Sequence, residues 1–295
     1  MVLLAFFTFV AIGGVNFVAV RFSNRELPPF LGASLRFGVA ALLLTVVLFA
    51  TRLQLPRGQG MVGSVVYGLL AFGAAYACAY YALTQLPAGA GAVVFASYPL
   101  FTVILAPLHR IERFRLRGLA GAVLAVVGIV ILADLTSADG LPLLPVIAMV
   151  GSAVSAAEAG VLLKRFPTVA PVAANTVAMA TGASMLLALS LATGERWVWP
   201  QLTTTWLSVA YLAVVGSAGL FGLFLFVLQR WTATSTSYAT ALLPVSALAA
   251  GALIGGEAIT ANAVAGGVLV LIAVYIGALS GPDVETPPVS APVQG

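Results

Sequence analysis

The chain has 295 residues, 61% hydrophobic and only 7% charged, with a mean hydropathy of +1.11 and a formal net charge of +4. Soluble domains carry about 25% charged residues, so these charges cannot cover a water-facing surface of this size, and lipid must be the solvent for most of it. A nucleic-acid partner is excluded as well, because the basic residues are scattered over loops and form no stripe.

In chain order, ten apolar stretches follow one another near residues 2–20, 29–50, 61–84, 88–108, 116–134, 142–163, 169–192, 204–229, 232–254 and 260–281. Each runs for about 19 to 26 residues, the length at which a helix crosses a hydrocarbon core. β-barrel spans are shorter and alternate apolar with polar residues, which these do not. The expected fold class is therefore all-α and polytopic, with ten transmembrane helices in the lipid bilayer. The first stretch lacks a basic leader and a small-residue cleavage site, and it contains the polar Asn16, so it reads as a working helix rather than a signal peptide. The final "SGPDVETPPVSAPVQG" is proline-rich and lacks apolar content, which predicts a disordered cytoplasmic tail over 282–295. The lone Cys78 falls inside the third stretch, where it can form neither an intrachain disulfide nor a metal cluster. No metal and no cofactor is expected.

The loops distribute their charge unevenly. Those after the second, fourth, sixth and eighth stretches hold Arg52, Arg57, Arg110, Arg113, Arg115, Arg117, Lys164, Arg165 and Arg230, whereas the alternate loops hold Arg21, Arg25 and Arg196. Nine against three predicts that the first set is cytoplasmic, and with it both termini. Arg36 is left over, inside the second stretch.

A repeat lies beneath this pattern. The segment "FASYPLFTVILAPLHRIE" finds an echo in "TALLPVSALAAGALIGGE", and a shift of 145 residues places Pro99 on Pro244, Glu112 on Glu257 and Gly121 on Gly266. We read two five-helix units, 1–135 and 141–281. Five is odd, so the second is inverted relative to the first. The arginine-rich loop "LHRIERFRLR" corresponds to the arginine-free "LIGGEAITAN", as expected if the two face opposite sides. Inverted repeats place a site near the bilayer midplane at their interface, and rocking of the halves exposes it to each side in turn. Proline removes a helical hydrogen bond and kinks the helix. Pro99 and Pro244 are accordingly either hinges or cavity-shaping kinks, or else packing kinks in helices that never move.

The segments "VNFVAVR", "LPPFLGASLRFGVAALLL" and "YYALTQLPAGAGAVVFASYPLFTVILA", with the glutamate closing the fourth and ninth stretches, resemble the EamA-type ten-helix exporters of the drug/metabolite transporter superfamily. The resemblance covers nearly the whole chain. It implies a basket of helices around a central cavity, with the fifth and tenth helices at the periphery. Here those two are apolar and rich in small residues, which suits lipid contact or a homodimer face. Where relatives often carry an aromatic pair in the sixth span, this chain reads "SAAEAG".

Tyr76 and Tyr80 are four residues apart and share one helix face, as do Phe95, Tyr98 and Thr102. The turn "TQLPA" makes the two helices antiparallel neighbours. Together they form either an aromatic, phenol-bearing wall for a substrate or ordinary packing. Asn16 must face inward, because an amide is costly against lipid; it serves either a substrate or a neighbouring helix. Glu158, well inside the sixth span, either binds a substrate ammonium or carries a coupling proton, or else reaches cytoplasmic water or Arg165. Arg36 reads as structural, snorkelling or holding the opening loop, although it could attract a carboxylate. Glu112 and Glu257 are expected to complement the positive ends of the fifth and tenth helices, and His109 to be solvated in its loop. Trp197, Trp199, Trp206 and Trp231 read as interfacial belt residues, and Gly118, Gly121, Gly251, Gly255, Gly277 and Gly281 as close-packing positions.

The function expected is secondary transport: export of small metabolites across the inner (plasma) membrane. Amino acids, aromatic and other neutral ones, are the favoured substrates, and the resembled family includes aromatic amino-acid exporters of the YddG type. Cationic drugs and a channel are the alternatives. No ATP-binding loop and no constellation of catalytic residues is present, so no enzymatic activity is expected.

Overall fold

The computed structural model describes residues 1–85, 94–133, 142–243, 245–246, 249 and 261–276. All regular structure among them is helical. In chain order we number α1 (Val2–Ser23), α2 (Pro29–Ala50), α3 (Gln59–Leu83), α4 (Tyr98–Leu108), α5 (Leu116–Ala133), α6 (Leu143–Leu163), α7 (Pro171–Ala192), α8 (Thr203–Leu228), α9 (Ala233–Ala241) and α10 (Ala261–Val274). Among the described residues five helices, α2, α3, α6, α7 and α8, are long and apolar enough to cross a membrane, and shorter apolar helices accompany them. Large apolar side chains on their outer faces, such as Leu42, Val46 and Phe49 of α2 and Val123 and Val127 of α5, are exposed, as a lipid-facing surface requires.

Helices of the first half pack chiefly against helices of the second: α1 on α8, α2 on α7, α3 on α6 and α7, α4 on α6 and α9, and α5 on α10. Glycines set the closest of these approaches. A Cβ on Gly68 of α3 would stand 2.4 Å from the Ala178 carbonyl oxygen of α7, and one on Gly182 would stand 2.3 Å from Phe72 Cβ. Of the glycines expected to pack closely, Gly118 meets only ordinary contacts at 3.6 Å, and Gly251, Gly255, Gly277 and Gly281 lie outside the described residues.

Helix starts explain how the bundle is tied together. α2 opens after Pro28 and α8 after Leu202, neither of which offers a side-chain cap. Their free N–H groups must find partners, and distant glutamates supply them. Glu195, in the α7–α8 loop, accepts from the N–H groups of Phe30 and Leu31, both at 2.9 Å. Glu26, in the α1–α2 loop, accepts from Gln201 and Leu202 N–H at 3.0 and 3.1 Å and from Thr205 Oγ1 at 2.6 Å. The Thr205 hydroxyl and those two backbone N–H groups hold the Glu26 carboxyl below its usual pKa. Glu112 differs from expectation. It accepts from the N–H groups of Ala233 and Thr234 at the start of α9, across the molecule, rather than serving the helix that follows it. A carboxylate complements any nearby helix N-terminus, and tertiary packing decides which one that is. Its counterpart Glu257 lies outside the described residues.

Among the described residues, α3 and α8 each contain a complete π-helical turn, Gly68–Ala74 and Val214–Gly219. A π turn frees backbone groups from the regular ladder and often marks a functional position. Here one carbonyl in each turn accepts a side chain from the other half. Gly216 O accepts from Asn16 of α1, and Leu70 O accepts from Ser155 of α6.

Candidate functional site

A cavity of about 430 Å³ lies between the halves, within the range of small-molecule sites. Its lining runs from Phe9, Tyr67 and Phe224, deep in the bundle, to Asn24 and Leu83 at the ends of α1 and α3. Both halves contribute: α1 to α4 from the first, and α6, α8 and the segment through Leu243 from the second. The α6 wall is built of Met149, Ser152 and Ala156, so the absence of a large aromatic there leaves room in the cavity.

Five of the six residues expected to bind substrate line this cavity: Asn16, Tyr76, Tyr80, Phe95 and Tyr98. The helical spacing of Tyr76 and Tyr80 brings their ring centroids to 6.0 Å, and Phe95 stacks on Tyr98 at the same distance. Tyr98 is 4% exposed and packs against Ala153 and Ala157 of α6. Its hydroxyl lies 3.3 Å from where a Cβ on Gly160 would stand. Pro99 sits in the first turn of α4, a position where the missing N–H costs nothing, so it begins that helix rather than kinking its interior. The chain turns at Ala96–Ser97 just before it. Pro244 lies outside the described residues.

Glu158 is not among the lining residues. Its Oε1 pairs with His109 Nε2 at 2.6 Å, each side chain under a quarter exposed, while Oε2 is buried without a partner. His109 is thus tied to α6 instead of being solvated: the α4–α5 loop folds back over the end of α6, a neighbour that sequence distance does not reveal. Arg165 donates to the His109 carbonyl rather than to Glu158.

Arg36 neither snorkels to the surface nor holds the opening loop, the roles expected of it. It is 2% exposed and lines the cavity. Its Nε donates to Ser217 Oγ at 2.6 Å and its Nη2 to Gly216 O at 2.8 Å, both in the π turn of α8. The guanidinium lies 5.1 Å from the Phe37 ring centroid and 5.4 Å from that of Tyr76, within cation–π range. Asn16 Nδ2 donates to the same Gly216 oxygen at 3.0 Å, which places the amide and the guanidinium side by side. The one sequence signal for this placement was a charge deep in an apolar stretch. The π turn that receives it had none.

Trp197, Trp199 and Trp206 are exposed, with Trp199 and Trp206 centroids 4.9 Å apart, whereas Trp231 is partly buried against Phe6.

Helices with apolar outer faces around an internal, partly polar cavity are the architecture of a polytopic membrane protein. The sequence model of the EamA-like transporter family matches residues 1–133 and again 143–278, and the chain belongs to that family. It is 28% identical over 258 residues to the "Uncharacterized inner membrane transporter YedA" of Escherichia coli strain K12, covering 87% of this chain and 83% of that one. It is 27% identical to a Salmonella typhimurium protein named "Probable amino-acid metabolite efflux pump", covering 90% and 91%. A crystal structure of a protein 20% identical shares the fold, with a TM-score of 0.77 over 94% of this chain and 96% of that one.

Proposed function

We propose that this protein is a secondary transporter of the inner membrane that exports small metabolites, amino acids with aromatic or other neutral side chains foremost, by alternating access. The observation that carries the reading is the cavity: it lies between the halves and is lined by both. Its aromatic wall of Tyr76, Tyr80, Phe95 and Tyr98 suits a flat or apolar side chain. The name of the Salmonella relative points the same way.

Several features support two inverted five-helix units. The family match falls in two segments, 1–133 and 143–278. The packing pairs α1–α8 and α3–α6 exchange when the halves are swapped, while α2–α7, α4–α9 and α5–α10 map onto themselves. The two π turns occupy corresponding helices, and each receives a side chain from the first helix of the opposite half.

The cavity lining reaches Asn24 and Leu83, at the end opposite the arginine-rich loops. With those loops cytoplasmic, as the charge bias argues, this is the outward-facing state. The cytoplasmic end is bridged between halves by His109–Glu158 and by Arg165 to the His109 carbonyl. Opening inward requires those bridges to break. Pro99, beside Tyr98 at the start of α4, shapes the cavity rim, and Pro244 is its counterpart by the repeat.

The test is counterflow in liposomes with a panel of labelled amino acids, nucleosides and cationic dyes. Trans-stimulated uptake of aromatic amino acids is expected, weakened by Tyr80→Ala or Tyr98→Ala. Absence of counterflow for every compound excludes a carrier and leaves a channel. Uptake confined to the dyes assigns the cavity to cationic drugs, a reading disfavoured by a cavity whose charged lining residue is Arg36 and which Glu158 does not line.

A further inference from the structure

We propose that Arg36 is the substrate's carboxylate anchor, with the Asn16 amide oxygen accepting from the group beside that carboxylate, so that the cavity requires a head bearing one carboxylate. The inference rests on the transport reading and adds the chemistry of one end of the ligand.

Charge balance makes the argument. Arg36 is 2% exposed, yet its hydrogen-bond partners, Ser217 Oγ, Gly216 O and the Tyr80 hydroxyl, are all neutral. A buried guanidinium without a counter-ion is costly, because desolvation is repaid only by an opposite charge and full hydrogen bonding. Among the described residues every acid is engaged elsewhere. Glu26 serves the start of α8, Glu195 the start of α2, Glu112 the start of α9, and Glu158 serves His109. Among the described residues, therefore, a positive charge stands against the cavity with no negative charge beside it. A second unmet group stands next to it: Asn16 Oδ1 is buried with no hydrogen-bond partner, while Asn16 Nδ2 and Arg36 share the Gly216 oxygen.

A cation that lacks an anion, beside an acceptor that lacks a donor, is the complement of an α-amino-acid head. The carboxylate takes the guanidinium's remaining donors, and the adjacent ammonium donates to Oδ1. One arginine balances one negative charge, so a carboxylate fits better than a phosphate dianion. The π turn of α8 fixes both groups, since Gly216 O is the acceptor they share. A Cβ at Gly216 would stand 2.3 Å from Asn16 Oδ1, so the amide packs directly on this turn. The side chain of such a ligand is left to the aromatic residues of the same cavity, Tyr76 and Phe95 among them.

The test is ligand-induced thermal stabilisation of the purified protein in detergent. The probes are L-phenylalanine, phenylpropionate, phenylalaninamide and phenethylamine, with counterflow of labelled phenylalanine measured in parallel. The two carboxylates should raise the unfolding temperature. The amide and the amine should need about ten-fold or higher concentration, as expected for loss of one charge-assisted hydrogen bond. Arg36→Gln should lose the preference for carboxylates, and Arg36→Lys should retain part of it. The comparison among probes in the unaltered protein stands even if the variants do not fold. Equal stabilisation by amide and acid, or none by either carboxylate, overturns the anchor. Carboxylate-selective stabilisation without counterflow keeps the anchor and sinks the transport reading instead.

Discussion

Lys164 shows how much a single residue can depend on packing. It stands just past the end of α6 and donates from Nζ to the Leu228 and Trp231 carbonyls at the end of α8. Burial pushes its pKa down to about 8, while the Glu112 carboxylate pulls it the other way. Below pH 8 the folded protein bears the cost of a desolvated ammonium. Between about 8 and the ordinary 10.5 the folded state has released a proton that the unfolded chain still holds, so this residue's contribution to stability rises with pH across that window. The unfolding temperature of the wild type relative to Lys164→Met should therefore improve between pH 8 and 10 in detergent; a pH-independent difference refutes it. In the sequence Lys164 was simply one basic loop residue among many.

At the scale of elements, close helix approach governs stability. Gly68→Ala pushes a methyl group into the Ala178 backbone of α7, which has no rotamer with which to yield. A loss of about 1–3 kcal/mol is expected, the usual cost of overpacking. Gly222→Ala meets nothing within 4 Å, so it should leave stability unchanged or raise it through better helix propensity. Unfolding temperatures of the two variants side by side provide the check, and equal values would discount the α3–α7 contact. The glycines picked from the sequence were those near the glutamates and in the fifth and tenth spans. The tightest approaches lie elsewhere, because glycine frequency marks small-residue helices without showing which face meets a neighbour.

For the whole molecule, the His109–Glu158 pair links the α4–α5 loop to α6 at the end opposite the cavity mouth. The second Glu158 oxygen is buried and unpartnered. If a proton on this pair accompanies transport, Glu158→Gln should abolish the pH dependence of counterflow while substrate binding at the cavity persists. An unchanged pH profile takes the pair out of the transport cycle. The same packing also recasts Glu112, which ties the first half to α9 in the second, and Arg36, which reaches from α2 to the π turn of α8.

By itself the sequence determined the solvent and the family. With 7% charged residues and a succession of long apolar stretches, no other solvent could cover the surface, and the segments around Asn16, Arg36 and Tyr80 carried the resemblance to EamA-type transporters. It also singled out Asn16, Tyr76, Tyr80, Phe95 and Tyr98, which line the cavity, because polar and aromatic groups inside apolar helices at i, i+4 spacing share a face that avoids lipid. Only the tertiary structure decided what each charge answers to: Glu112 to α9, Glu195 to α2, Glu26 to α8, His109 to Glu158, and Arg36 to a cavity with no acid of its own among the described residues. The reason is physical. Hydropathy is a local property that accumulates along a helix, whereas a buried charge is satisfied by whichever group packing brings within about 3 Å, and these partners lie 49 to 181 residues apart in the chain.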